Sequence, residues 1–237
     1  MGDTQITKKY KCVFFDLDHT LWDYEKNAEE TLAELYTAFS LSARGVPDAL
    51  SLYLKFREVN LALWDLYDTN RCDQQYIRTE RFKQILTHFA AYDSDLSEKL
   101  SIEYLSNCPK KNNMMPYAIE MLEYLHSKYQ LTVVTNGFDE IQNMKLSSGN
   151  LHRFFHHIVT SQKAGHRKPS GRIFEYAMKA NNVRSADVVM IGDNLVTDIG
   201  GAKAAEIDAI FFNRDKINHS SPVNHEISCL SELKNIL

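Results

Sequence analysis

Two acidic side chains follow directly after a short apolar run near the start of the chain. Cys12 to Phe15 form the run, and Asp16 and Asp18 come next. The run contains β-branched and aromatic residues and is too short for a buried helix, so it predicts a buried strand. In an extended chain residues i and i+2 point the same way, so both carboxylates can face one site. A buried carboxylate is costly unless it is paired or bound to a metal, which favours a functional site here.

An isolated Asp-x-Asp would more often be a turn, because Asp is common in turns. Three later predicted strands, however, also end in polar groups that two acids and a cation would need. Thr135 and Asn136 end the second strand, Lys168 follows the third, and Asp193 and Asp198 follow the fourth. Open α/β sheets bind ligands at the carboxyl ends of their strands, so these groups are expected to meet there.

The residue types at these strand ends predict phosphoryl transfer. Asp16, Asp18 and Asp193 would repel one another in one pocket unless a cation lay among them. Oxygen ligands without His or Cys suit Mg²⁺, which binds one or two carboxylates together with phosphate. Thr135 offers a hydroxyl, and Lys168 is a typical point-charge binder of phosphate. Such a set positions groups and neutralises charge around a transferred phosphoryl group.

Between the first strand and the rest of the chain, apolar residues recur at helical spacing and strand signals are nearly absent. We therefore predict an all-α cap domain at 23–112, inserted into a core domain formed by 1–22 and 113–237. Insertions are tolerated at loops over a binding face, so the cap is expected to act as a lid over Asp16. The predicted cap helices are Ala28–Phe39, Leu50–Tyr67, Arg78–Phe89 and Leu96–Tyr104.

The remaining segments alternate between strand and helix patterns, which predicts an α/β fold with a doubly wound parallel sheet. Pro116 suits a first helical turn, and a further helix is expected to start at Thr197. The predicted strands are Leu131–Val134, Ile158–Thr160, Val188–Ile191 and Ala209–Phe212. The predicted helices are Tyr117–Lys128, Glu140–Ser147, Arg172–Asn181 and Ser231–Leu237.

Composition excludes several classes of protein. The chain has 237 residues and a net charge of −4 without a basic run, which argues against binding of nucleic acid polymers or a membrane surface. No apolar run approaches the length of a membrane span. The four cysteines are scattered without C-x-x-C spacing, so they predict reduced thiols in a cytoplasmic protein.

The four polar strand ends resemble the motifs of the haloacid dehalogenase-like hydrolase superfamily, in the same order. Asp16-Leu-Asp-His-Thr-Leu21 resembles the first motif and Val133-Val-Thr-Asn-Gly137 the second. Lys168-Pro169 resembles the third, and Gly192-Asp-Asn-Leu-Val-Thr-Asp198 the fourth. The helical insertion is similar to the first type of cap in that superfamily.

This resemblance implies a Mg²⁺-dependent phosphatase that forms an aspartyl-phosphate. Asp16 would be the nucleophile, and Asp18 would protonate the leaving alcohol and then activate water. Thr135 and Asn136 would hold phosphoryl oxygens. Lys168 would stabilise the charge shared by the nucleophile and the phosphate.

The same resemblance implies a set of metal ligands. The carboxylates of Asp16 and Asp193 and the backbone carbonyl of Asp18 would bind Mg²⁺. Asp198 would steady Lys168 or a water on the metal.

A closer resemblance concerns the substrate, a small phosphate ester. Thr135-Asn-Gly-Phe138, together with Trp64 and Arg78-x-x-Arg81-Phe82 in the cap, is similar to the pyrimidine-preferring 5′-nucleotidases. This implies a (deoxy)pyrimidine nucleoside monophosphate. Arg78 and Arg81 are three residues apart on one helix face, so we predict that Trp64 selects the substrate together with Arg78 or Arg81. Aromatic residues at helical spacing are, however, more often core. Caps of this type also serve sugar phosphates and phosphoglycolate.

Other classes fit the residues less well. A dehalogenase of the same superfamily needs no metal and generally lacks an acid at the position of Asp18. A receiver-like switch would carry its phosphorylated Asp in the middle of the chain and would lack a cap after the first strand. An inactive phosphate-binding protein would be expected to lack a motif residue, and none is missing.

Overall fold

The computed structural model describes residues 10–237, and the chain divides into two compact units. The core unit comprises Met1–Trp22, Met114–Asp139 and Asn150–Leu237, and the helical unit comprises Asp23–Asn113 and Glu140–Gly149. Expectations for residues 1–9 lie outside the described residues.

The segment 140–149 belongs to the helical unit, whereas the sequence had assigned it to the core domain. Its own contacts explain the difference. Glu140 forms an ion pair with Arg78, and the Ser148 hydroxyl donates to the carbonyl oxygen of Pro109 at 3.0 Å. The side chain of Asn113 donates to Asn27 Oδ1 at 2.8 Å, which ties this residue to the helical unit as well.

The core unit is built on a six-stranded sheet in the order β3-β2-β1-β4-β5-β6, and every neighbouring pair is parallel. The strands are β1 Cys12–Phe15, β2 Gln130–Thr135, β3 His157–Thr160, β4 Val188–Gly192, β5 Asp208–Phe212 and β6 His225–Ile227. Phe15 at the end of β1 pairs with Val133 on one side and Ile191 on the other. The carboxyl ends of the three central strands therefore lie at one edge of the sheet.

The chain combines this parallel sheet with helices, and the predicted α/β doubly wound fold is confirmed. The chain forms α1 Tyr24–Ala38, α2 Ala49–Asp68, α3 Gln74–His88, α4 Ser94–Asn107, α5 Ala118–His126, α6 Asp139–Ser148, α7 Ser161–Ala164, α8 Gly171–Asn181 and α9 Gly201–Ala204. All four residues of β1 are buried, as expected of a parallel strand covered on both faces. Phe14, Phe174 and Phe211 belong to one buried apolar cluster that joins β1, α8 and β5.

Several element boundaries differ from the sequence-based expectation. Pro116 precedes α5 rather than starting it, because Tyr117 has a left-handed φ of 66° that separates the two. A π-helix, Leu195–Gly200, precedes α9. The closing segment Leu230–Asn235 is a 3₁₀ helix. The strand β6 was missed because it has three residues, two of them exposed.

In the helical unit, α1 to α4 each begin after an aspartate whose carboxylate accepts a backbone N–H three residues later. These N-caps satisfy backbone donors that a helix start leaves open. The caps are Asp23, Asp48, Asp73 and Asp93, with acceptor distances of 3.1, 2.7, 2.8 and 2.8 Å.

The rings of Phe56, Phe82 and Tyr104 form the centre of the helical unit. The ring centroids of Phe56 and Tyr104 are 4.8 Å apart, and those of Phe82 and Tyr104 are 5.9 Å apart. Phe82 is 1% exposed, so this ring is core. Across residues 10–237, no helix combines the length and apolar character that crossing a membrane requires.

Candidate active site

Asp16 directly follows β1 and its backbone is still hydrogen-bonded to the sheet. The chain then turns sharply. The Asp16 N–H donates to the carbonyl oxygen of Ile191 at 2.9 Å. The N–H groups of Leu21 and Trp22 both donate to the carbonyl oxygen of Leu17 at 2.9 Å. This short turn carries Asp18 beside the end of β1, and the charge of Asp18 acts on Asp16.

Lys168 lies between two carboxylates. Its Nζ is 2.5 Å from Asp16 Oδ1 and 2.7 Å from Asp198 Oδ1, and its side chain is 2% exposed. Burial alone would lower the pKa of the Lys168 ammonium, but the two carboxylates outweigh burial and raise that pKa. Lys168 is therefore a permanent positive charge beside Asp16.

Three carboxylates form a cluster that could hold a cation. One oxygen each of Asp16, Asp193 and Asp198 lies within 4.8 Å of the others. Asp198 uses both its oxygens, since Oδ1 accepts from Lys168 and Oδ2 accepts from the Asn194 N–H at 3.0 Å. Asp16 and Asp193 are thus better suited to bind a metal directly, and Asp198 to hold Lys168.

Electrostatics favour a cation at this cluster. Burial raises the pKa of Asp16 to about 7, and Lys168 opposes this effect while Asp198 and Asp18 add to it. Burial, followed by the charges of Asp16 and Asp198, also raises the pKa of Asp193 well above its ordinary range. A divalent cation would relieve this repulsion, and the donors are all hard oxygens, so the residues fit Mg²⁺.

Gly192 permits the approach of Asp198 to the end of β4. A Cβ atom at this position would lie 2.2 Å from Asp198 Oδ2. Asp198 itself is fixed by the π-helix, whose first turn is capped by Asn194 Oδ1, which accepts from the N–H groups of Val196 and Thr197 at 2.9 and 3.0 Å. Glycine is therefore required before Asp193 for a steric reason.

The Thr135 hydroxyl lies at the end of β2 and already accepts one hydrogen bond. The Gly137 N–H donates to Thr135 Oγ1 at 3.0 Å. Because Oγ1 is the acceptor in this contact, the contact does not use the hydroxyl proton. Thr135 can therefore donate to an anion at the sheet edge.

The side chain of Asn136 has a partner that sequence reasoning did not anticipate. Its Nδ2 donates to the Lys168 carbonyl oxygen at 2.9 Å, and its Oδ1 accepts from the Lys168 N–H at 2.8 Å. The amide thus fixes the backbone of the lysine. Because the side-chain amide is used in this way, a phosphate contact from Asn136 would come from its backbone N–H.

Thr20 is a site residue that the sequence did not single out. It is buried, and its Oγ1 donates to Asp193 Oδ1 at 3.3 Å. The only sequence feature that could have indicated a role for Thr20 is its place in the first motif, four residues after Asp16. The contact orients the Asp193 carboxylate.

The three residues predicted to select the substrate all lie in the helical unit. Trp64 is partly buried and packs edge-on against Tyr67, with centroids 5.3 Å apart. Arg78 forms the ion pair with Glu140. Arg81 is 4% exposed and lies over Phe56 and Tyr104, with Cζ at 5.6 and 5.5 Å from the centroids, and no acidic partner is found within residues 10–237.

The chain belongs to the haloacid dehalogenase-like hydrolase family, whose model matches residues 10–206. This span contains every core site residue described above. The family predicted from the four motifs is thereby confirmed.

Individual relatives extend over nearly the whole chain. The HAD-hydrolase YfnB of Bacillus subtilis is 26% identical over 97% of this chain and 96% of its own. A magnesium-bound crystal structure of YfnB has a TM-score of 0.86, with 23% identity over 96% of this chain and 98% of that one. This similarity supports the fold.

Two further relatives carry names that specify an activity. The pyrimidine 5′-nucleotidase PynA of Streptococcus pneumoniae is 28% identical over 89% of this chain and 87% of its own. A glyceraldehyde 3-phosphate phosphatase of Pyrococcus furiosus is 28% identical over 88% of this chain and 83% of its own. Together with the family, these relatives confirm the prediction that the protein is an enzyme of the phosphatase type.

Proposed function

We propose that the protein is a Mg²⁺-dependent phosphomonoester hydrolase that works through an aspartyl-phosphate on Asp16. The observation that carries the proposal is the buried Asp16–Lys168–Asp198 arrangement with Asp193 beside it. An anionic nucleophile approaches an anionic phosphate only when positive charge is fixed nearby. Lys168 supplies such a charge within hydrogen-bonding distance of Asp16.

The first step transfers the phosphoryl group to the protein. A carboxylate oxygen of Asp16 forms a bond to phosphorus while the bond from phosphorus to the ester oxygen breaks. The protonated carboxyl of Asp18 gives its proton to the departing alkoxide, which leaves as an alcohol. Thr135 Oγ1 and the backbone N–H of Asn136 hold the phosphoryl oxygens, and Lys168 stabilises the charge shared with Asp16.

The second step returns the enzyme to its starting state. Asp18, now a carboxylate, takes a proton from a water molecule whose oxygen attacks phosphorus. The bond from phosphorus to Asp16 breaks, and inorganic phosphate leaves. Asp18 is protonated again, so one water is consumed per ester and the protons balance.

The carboxylates of Asp16 and Asp193 and the backbone carbonyl of Asp18 would hold Mg²⁺. When bound, it supplies positive charge that offsets the repulsion between the carboxylates and the phosphate. The magnesium in the YfnB crystal structure supports this choice of metal. Thr20 holds Asp193 in the required orientation.

The substrate class that we propose is a (deoxy)pyrimidine nucleoside monophosphate. PynA supports it, and so does the pyrimidine 5′-nucleotidase YjjG of Escherichia coli, which is 25% identical over 97% of this chain. Trp64 would contribute a ring face, and Arg78 or Arg81 would donate to base oxygens. The glyceraldehyde 3-phosphate phosphatase supports a sugar phosphate as the second candidate.

The first experiment measures phosphate release with Mg²⁺ from UMP, dUMP, dTMP and a set of sugar phosphates. The comparison includes Asp16→Asn, which is expected to lose turnover while its thermal unfolding stays cooperative. Glu175→Gln changes an exposed carboxylate on α8 and serves as the matched control with wild-type activity. Turnover retained by pure Asp16→Asn protein would exclude the covalent mechanism.

The panel also separates the two substrate classes. Preference for pyrimidine nucleotides would support the nucleotidase, and preference for sugar phosphates would keep the mechanism and exclude the nucleotide proposal. Trp64→Ala tests the selecting residue, with Tyr92→Ala as a control at an aromatic side chain that is 50% exposed. Unchanged kcat/KM for every nucleotide in Trp64→Ala would exclude a role for that ring.

A further inference from the structure

The segment after β5 reaches the same edge of the sheet as the candidate site. Phe211 in β5 pairs with Gly192 in β4, so Arg214 follows a strand end adjacent to the one that carries Asp193. Asn213 fixes this segment. It is 4% exposed, its Nδ2 donates to the Ile217 carbonyl oxygen at 2.9 Å, and its Oδ1 accepts from the Ile217 N–H at 2.8 Å.

The Arg214 guanidinium makes two hydrogen bonds and one ion pair, and its side chain is 22% exposed. Nη2 lies 3.3 Å from His19 Nδ1, Nη1 lies 3.7 Å from Met115 Sδ, and Nε lies 3.4 Å from Asp215 Oδ2. Arginine has donors only, so His19 Nδ1 is the acceptor in this pair. The ring of His19 is thereby held in one orientation.

His19 lies within the turn that follows β1 and its backbone shapes that turn. Its φ of 63° is left-handed, which is uncommon for a residue other than glycine. Its N–H donates to the Trp22 carbonyl oxygen at 2.9 Å, which closes the turn. The preceding residue is Asp18, and the following residue is Thr20, which donates to Asp193.

We propose that Arg214 is a positioning residue: through His19 it holds the turn that presents Asp18 and Thr20 to the site. The inference rests on the proposed phosphatase function and adds a residue from a fifth point of the chain, beyond the four motifs. The side-chain partners of Arg214 described above are His19, Met115 and Asp215, and the charge of Arg214 also acts on Asp193. Arg214 acts on the chemical step by fixing where the acid–base carboxyl of Asp18 stands.

The test compares kcat and KM for phosphate release by Arg214→Ala, His19→Ala, His19→Gly, His19→Asn and the double variant Arg214→Ala/His19→Ala. Displaced catalytic groups lower the rate of the chemical step, so each single alanine variant is expected to lower kcat about tenfold or more with KM within about twofold. The double variant is expected to be no slower than either single variant, because both remove the same contact.

His19→Asn tests the contact itself. Asparagine offers an acceptor oxygen near the position of Nδ1 and glycine offers none, whereas both tolerate a left-handed backbone. His19→Asn is therefore expected to keep most of the wild-type kcat, and His19→Gly is expected to lose it as His19→Ala does. Arg184→Ala removes an arginine side chain that is 82% exposed in the same unit and is the control with wild-type kcat. Thermal unfolding of every variant is measured alongside, and the difference in kcat between His19→Asn and His19→Gly distinguishes positioning from loss of folding.

Three results would overturn the proposal. One is wild-type kcat in Arg214→Ala, and another is additive losses in the double variant. The third is a raised KM with unchanged kcat, which would place Arg214 on the substrate. If the wild-type protein hydrolyses no ester, the proposed function itself fails and this inference with it. Active wild type with unaffected variants contradicts the role of Arg214 alone.

Discussion

At the residue scale, the site depends on how a few polar groups are paired in a buried place. Motif order was enough to predict that Asp16, Lys168, Asp193 and Asp198 come together, because each lies in a segment after a strand of the parallel sheet. The direction of individual side chains was not predictable. The Asn136 amide faces the backbone of Lys168 because two buried backbone groups there need partners, and no pattern in the sequence reports that need.

Lys168→Met is predicted to destabilise the protein as well as abolish turnover. The substitution keeps the length of the side chain but leaves Asp16 and Asp198 buried without their shared cation. Removing one partner of a buried ion pair costs about 3–5 kcal/mol, so the free energy of unfolding in urea should fall by about that amount. Lys179→Met, at an exposed position of α8, is the control. Equal stability of the two variants would contradict a structural role for the buried charge.

At the element scale, the sequence predicted best the elements that are long or fully buried. The strands β1, β2 and β4 were expected within about two residues, since each is rich in apolar and β-branched residues. The π-helix and β6 were not predicted. The π-helix departs from the 3.6-residue period, and β6 has only three residues, two of them exposed. The π-helix is the element that places Asp198 against the end of β4.

Gly192→Ala is predicted to disturb this placement. The added Cβ would overlap Asp198 Oδ2, so the carboxylate or the strand end must move. Crowding of a packed region costs about 1–3 kcal/mol, and loss of the Asp198–Lys168 contact should lower kcat. Gly171→Ala is the matched control, because its nearest contact would be an ordinary 3.5 Å and alanine favours the first turn of α8. Wild-type kcat in Gly192→Ala would show that the close approach is unimportant.

At the scale of the whole molecule, stability and metal binding are coupled through the buried carboxylates. The pKa of Asp16 rises from 3.8 to about 7 on burial, so the folded protein holds a proton there that the unfolded chain releases. Stability without metal is therefore expected to fall as the pH rises from about 4 to about 7. Asp193, whose pKa is also raised, adds to the fall.

Mg²⁺ is predicted to reverse this loss, and more strongly at high pH than at low pH. Metal binding requires both carboxylates in their charged form, and at pH 5.5 the proton competes for Asp16. A ligand that binds only the folded state stabilises it by about 2.7 kcal/mol at a hundredfold excess over its Kd. The rise in Tm caused by 5 mM Mg²⁺ should thus be larger at pH 8 than at pH 5.5. For a carboxylate with a pKa of about 7, proton competition makes the apparent Kd about 30-fold weaker at pH 5.5 than at pH 8. Asp193→Asn, which removes one ligand, should shrink the effect at both pH values, whereas an equal shift at pH 5.5 and pH 8 would mean that the metal binds elsewhere.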